Sequence, residues 1–122
     1  MNWMPLLFVA AIIILATIMK RTGQISAGDA RALLQKGALV IDVRSPGEFS
    51  AGHLPMSVNI PLNEIETALP GRVPDKNKVL LLYCASGMRS GMAKKKLNGM
   101  GYANAFNLGS YGRAESILMQ QP

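Results

Sequence analysis

The sequence predicts an α/β domain, a central, mostly parallel sheet with helices on both faces, preceded by one hydrophobic helix. Three observations carry that reading. Two runs that are almost wholly apolar, ALVIDV (38–43) and KVLLLY (78–83), have the composition of strands covered on both faces, as parallel strands are. Stretches with helix caps alternate with those runs, which is the pattern of βαβ units. A charge-free block at the start is set off from roughly 100 residues of ordinary composition, enough for one domain with its own core. The division falls into a hydrophobic segment, 1–21, and a domain, 22–122.

The elements follow in order. TGQIS (22–26) is a link with a small first strand. SAGDARALLQKG (26–37) is a helix, with Ser26 as N-cap, Asp29 at the capping-box position and Gly37 as stop. The strand 38–43 follows. SPGEFSAG (45–52) is a short helical turn with Pro46 near its start. SVNI (57–60) is a short strand and LNEIETAL (62–69) a helix closed by Pro70; a polar loop then leads to the strand 78–83. RSGMAKKKLNGMG (89–101) is a helix ended by glycines, with the three lysines on a solvated face. ANAFNL (103–108) is the last strand, and SYGRAESILMQ (110–120) the final helix. Counting the stretch at 22–26, five strands are expected.

Composition narrows the function. A single cysteine excludes an internal disulfide, and with a single histidine it argues against a protein-built zinc site. The net charge of +6 favours anionic partners. The basic residues form neither a long arm nor an aromatic-interleaved stripe, so nucleic acid is not the expected partner. Residues 2–19 carry no charged side chain, about the length that spans a hydrocarbon core, with Trp3 at one end and Lys20 and Arg21 at the other. A cleaved signal peptide is the alternative, but the early positive charge and small-residue cleavage site it needs are missing. The expectation is a single-pass membrane anchor with the domain on the cytoplasmic side.

The chemistry concentrates in YCASGMRSG (83–91). Parallel sheets bind ligands beyond the carboxyl ends of their strands, where Cys84 and, on the neighbouring run, Asp42 and Arg44 lie. Cys84 precedes a helix, whose free amides and positive dipole end favour a thiolate. Small residues, Ala85, Ser86 and Gly87, allow successive amides to turn inward as an anion nest. Arg89, five residues on, is expected to return over the loop as a fixed cation. The competing assignment for Cys84 is a small buried hydrophobe.

The residues resemble the rhodanese family of sulfurtransferases. VIDVRSPGEFSAGHLPMSVNIPL (40–62) is similar to that family's first signature stretch, LLYCASGMRSGMAKKKL (81–97) to its active-site stretch, and GYANAFNLGS (101–110) to its last strand and turn. The resemblance implies a three-layer rhodanese-like fold and no cofactor. It implies a double displacement in which Cys84 takes the sulfane sulfur of a donor such as thiosulfate, becomes a persulfide, and passes the sulfur to cyanide or a thiol, a protein acceptor included. It assigns the loop amides to Ala85, Ser86, Gly87, Met88, Arg89 and Ser90, the donor-greeting cation to Arg89, and a hydroxyl directed at sulfur or helix to Ser90. Asp42, Arg44 and Glu48 then form a supporting rim, and His53 is a structural loop residue. Two departures touch the loops beside the site. Met56 and Ser57 stand where the family usually has a small Gly-Ala type pair, and Gly109-Ser110 stands where it often has Gly-Gly.

Two rival functions remain. Related cysteine-loop phosphatases place five residues between Cys and Arg; here there are four, a shorter arc suited to a sulfur atom. A low-turnover persulfide carrier or membrane-tethered binding module is the other.

Overall fold

The computed structural model describes residues 3–119, the side chains of 15–22 excepted. Its elements are α1 (Met4–Thr22), α2 (Ala27–Gln35), β1 (Leu39–Asp42), α3 (Pro46–Ala51), β2 (Val58–Asn59), α4 (Ile65–Arg72), β3 (Leu80–Cys84), α5 (Met88–Gly99), β4 (Ala105–Ser110) and α6 (Tyr111–Met119). A 3₁₀ turn at Leu62–Glu64 leads into α4. The strands pair in parallel in the order β2-β1-β3-β4, so the two strands read as fully buried, β1 and β3, are the central pair.

Side-chain alternation along the strands divides the core into two layers. Leu80, Leu82 and Cys84 face one side with Ile41, where they pack on Ile65 and Leu69 of α4 and Ala93 and Leu97 of α5. Leu81 and Tyr83 face the other side with Val40, against Ala30 of α2 and Ala114 and Ile117 of α6. The helices on both faces confirm the three-layer expectation. The parity also decides that Cys84 points under the start of α5, while its neighbour Tyr83 points away.

Four strands form among the described residues, where five were expected. The stretch 22–26 makes one backbone bond to β4, from Ile25 N–H to the Asn107 carbonyl at 2.9 Å. The Ile25 carbonyl is taken by the Arg113 guanidinium at 2.6 Å. With its acceptor engaged by a side chain, the segment lies along β4 without joining the ladder.

Local signals were otherwise mostly obeyed. Ser26 accepts from Asp29 N–H at 3.1 Å, and Gly37 adopts φ of +93° just past the end of α2. Pro70 does not close its helix. It lies inside α4, where a short helix followed by one more turn loses only the single bond its nitrogen cannot make. Gln120 of the expected final helix lies outside the described residues.

The anchor expectation finds no support here. Among the described residues, no helix is long and apolar enough to cross a membrane. Much of the segment, Lys20 and Arg21 included, falls where side chains are not described.

Candidate active site

Cys84 ends β3 and is fully buried. The chain leaves the strand, turns at Gly87 with φ of +96°, and enters α5 at Met88. That turn aims donors back at the sulfur. Gly87 N–H donates to Cys84 Sγ at 3.0 Å, Ser90 N–H at 3.4 Å and Ser90 Oγ–H at 3.5 Å. Burial alone pushes the thiol pKa up. The Ser90 hydroxyl and the Ser90, Gly87 and Ser86 amides outweigh it, and the net displacement is downward. The loop is fixed from outside as well, since Ser86 bridges to Ser110 at the end of β4. Ala85 and Ser86 are exposed, and the Met88 side chain is 75% exposed, pointing into solvent beside the loop.

Arg89 is fixed at the start of α5 by a carboxylate. It does not donate to the sulfur but grips Glu48 of α3 through both nitrogens, Nη1 to Oε1 at 2.6 Å and Nη2 to Oε2 at 3.0 Å. The reason lies in Glu48, which is already fixed as a capping-box partner of Ser45 and so presents a preformed carboxylate. The Arg89 hydrogen bonds, with help from Ser45, hold the Glu48 carboxyl at about 2. The guanidinium still senses the Cys84 charge, a secondary contribution to its raised pKa after the pairing with Glu48.

Asp42 and Arg44 form an ion pair at the end of β1. Asp42 is fully buried and Arg44 is 8% exposed. Arg44 Nη2 meets Asp42 Oδ2 at 2.7 Å and the Gly52 carbonyl at the same distance. Its guanidinium also lies 4.9 Å from the Tyr111 ring centre. Asn59 Nδ2 closes the rim by donating to the carbonyls of Asp42 and Arg44. His53 is exposed, stacked at 3.7 Å on Phe49 with its Nδ1 at 2.8 Å from the Phe49 carbonyl.

The two residues of the first departure, Met56 and Ser57, are placed differently. Met56 sits at φ of +68°, a left-handed conformation that strains a side chain bearing Cβ. Ser57 Oγ donates to the Leu54 carbonyl at 2.6 Å and touches the Tyr83 hydroxyl at 3.1 Å, tying that loop to the back of β3.

The sequence reading missed Asn107. It is 4% exposed on β4, donates to the Gly87 carbonyl at 3.1 Å and accepts from Gly109 N–H at 2.8 Å. A polar residue inside the otherwise apolar AFNL was the available signal.

Comparison with known proteins agrees with this geometry. A family model described as the rhodanese-like domain matches residues 26–112. The chain belongs to that family. Among rhodanese relatives, it is 42% identical over 69 residues to the thiosulfate sulfurtransferase PspE of Escherichia coli, a match covering 57% of this chain and 66% of that protein. It is 38% identical over 77 residues to a thiosulfate:glutathione sulfurtransferase of Saccharomyces cerevisiae, covering 54% of this chain and 55% of that protein. The match thus spans less than two thirds of either relative. Among solved rhodanese folds, a human single-domain sulfurtransferase superposes with a TM-score of 0.67 at 31% identity, covering 81% of this chain and 97% of that one. A rhodanese with anions from Escherichia coli gives 0.61 at 38% identity, covering 63% and 91%.

Proposed function

We propose that the chain is a rhodanese-type sulfurtransferase working through a Cys84 persulfide. The observation that carries the reading is the set of donors converging on Cys84 Sγ from Gly87 and Ser90. Such donors favour the thiolate and stabilise negative charge on sulfur. The Cys84 thiolate attacks the sulfane sulfur of thiosulfate. The donor's S–S bond breaks and sulfite leaves with the electron pair, giving Cys84–S–S⁻. A cyanide ion or thiolate then attacks the outer sulfur. The Cys84–S bond breaks, thiocyanate or a new persulfide departs, and the Cys84 thiolate is restored. The names of the relatives support thiosulfate as donor and a thiol such as glutathione as acceptor. Cys84 is the only cysteine, so the acceptor must come from outside the chain. An open groove of about 620 Å³ beside the loop, lined by Gln24, Ser86, Gly87, Met88, Met92 and Lys95, offers room for one.

The test is the mass of the protein after thiosulfate. Gain of one sulfur atom on Cys84, its removal by cyanide or a thiol, and loss of both in Cys84→Ser are the expected results. Absence of the adduct with several donors overturns the reading. An adduct that forms but turns over slowly favours a persulfide carrier, a second reading suggested by the engagement of Arg89 with Glu48.

Tethering to a membrane is a separate part of the proposal. Trp3 and the described part of α1 after it expose large apolar side chains, Trp3, Leu6, Leu7, Phe8, Ile12 and Ile14 by 53–72%, an apolar surface that calls for cover. Lys20 and Arg21 favour a cytoplasmic domain. Flotation with lipid vesicles tests the tether, and protease digestion of the domain from the outer side alone overturns its orientation.

A further inference from the structure

We propose that Asn107 is a positioning residue for Cys84, acting by directing the single hydroxyl proton of Ser90 onto the sulfur. Three donors crowd the Gly87 carbonyl: Gly91 N–H at 3.1 Å, Asn107 Nδ2–H at 3.1 Å and Ser90 Oγ–H at 3.2 Å. A carbonyl oxygen has two lone pairs. Ser90 has one hydroxyl proton and two acceptors within reach, the Gly87 carbonyl and Cys84 Sγ at 3.5 Å. With Gly91 and Asn107 filling the carbonyl, the Ser90 proton is left for the sulfur. Remove the Asn107 donor and the shorter oxygen contact competes for that proton.

Asn107 is built to make this contact. Its Oδ1 is held by Gly109 N–H at 2.8 Å, which fixes the amide plane and turns Nδ2 toward the loop. Gly109 adopts φ of +99° in making that bond. Gly91 leaves room above the amide, for a Cβ there would stand 3.4 Å from Nδ2. The side chain is 4% exposed, so its donor has little water to turn to and stays on the carbonyl. Ser90 and Cys84 are themselves fully buried, which makes the direction of one proton matter more than it would in solvent.

The inference deepens the sulfurtransferase reading and rests on it for its effect on turnover. The geometric claim is tested without any sulfur donor. Thiolate formation is followed by ultraviolet absorbance against pH on the full chain in detergent, with Cys84→Ser subtracted. The set is the unmutated chain, Asn107→Ala, Ser90→Ala and the double variant. Asn107→Ala and Ser90→Ala are each expected to lower the thiolate fraction below the midpoint by about fivefold, the effect of one hydrogen bond of ordinary strength. The double variant should fall no further than Ser90→Ala, because both changes remove the same proton. A wild-type titration in Asn107→Ala, or shifts that add in the double variant, overturns the proposal. The unmutated chain gives an independent reading by nuclear magnetic resonance. The Asn107 side-chain amide signals should move through the Cys84 titration, and a flat trace overturns the proposal whether or not the variants fold. Failure here leaves persulfide formation untouched. Failure of persulfide formation with the titration coupling intact counts against the sulfurtransferase reading alone.

Discussion

The backbone N–H of Gly87 meets the sulfur of Cys84 at 3.0 Å, closer than either the N–H or the hydroxyl of Ser90. The contact depends on a positive φ at Gly87. A Cβ there would also lie 3.2 Å from Gln24 Nε2 and 3.3 Å from the Gly109 Cα, the latter a backbone atom that cannot step aside. Gly87→Ala is expected to cost about 1–3 kcal/mol of stability through backbone strain. It should also move the Cys84 titration upward as the amide turns away. Urea unfolding and thiolate absorbance check the two effects, and an unchanged midpoint in both removes the account of the turn.

The rim pair behaves differently from a surface ion pair because Asp42 has no access to water and Arg44 very little. Asp42→Ala leaves the Arg44 charge buried without its partner. Its expected cost is about 3–5 kcal/mol, as for other broken buried pairs. A loss below about 1 kcal/mol in urea unfolding would mean that the Gly52 carbonyl and the Tyr111 ring hold the guanidinium adequately alone.

The Arg89–Glu48 pair is the opposite case. Its side chains are 36% and 37% exposed, so solvent screens the pair and Glu48→Gln should change stability little at neutral pH. The folded carboxyl is depressed to about 2, below its unfolded value. The contribution of the pair is therefore present above the unfolded carboxylate pKa and is lost as pH falls toward 2. Comparing acid unfolding of Glu48→Gln with the unmutated chain checks this, the difference between them vanishing at the acid end.

Arg89→Ala should weaken anionic donors by about 1–3 kcal/mol if Arg89 leaves Glu48 to meet the donor, the range for a charge-assisted contact. The measurement is the thiosulfate dependence of persulfide formation. An unchanged dependence assigns Arg89 to holding α3 alone.

Met56 offers a gain. Its φ of +68° is strained for a side chain bearing Cβ, and the side chain is 80% exposed, so it contributes little packing. Met56→Gly is expected to raise stability by about 0.5–1 kcal/mol, the relief of left-handed strain less the added chain entropy of glycine. Thermal melting decides it, and a lower Tm would show that the methionine packs after all.

By itself the sequence determined the layered α/β fold, the central strand pair, the loop that ends at Arg89 and the place of the single cysteine at the end of a buried strand. These rest on local rules. Apolar runs, caps and turn glycines act over a few residues and are legible in order along the chain. It also determined that Asp42 and Arg44 share a rim, because both end one strand. Only the tertiary structure decided where polar groups spend their hydrogen bonds. Arg89 turned to Glu48, 41 residues away, because the capping box had already oriented that carboxylate. The first strand failed because Arg113, 88 residues on, took the Ile25 carbonyl. Asn107 joined the site from β4, 20 residues beyond Gly87. Each outcome pairs a donor with an acceptor on segments far apart in the chain, which no local pattern relates and only the packing of the layers brings together.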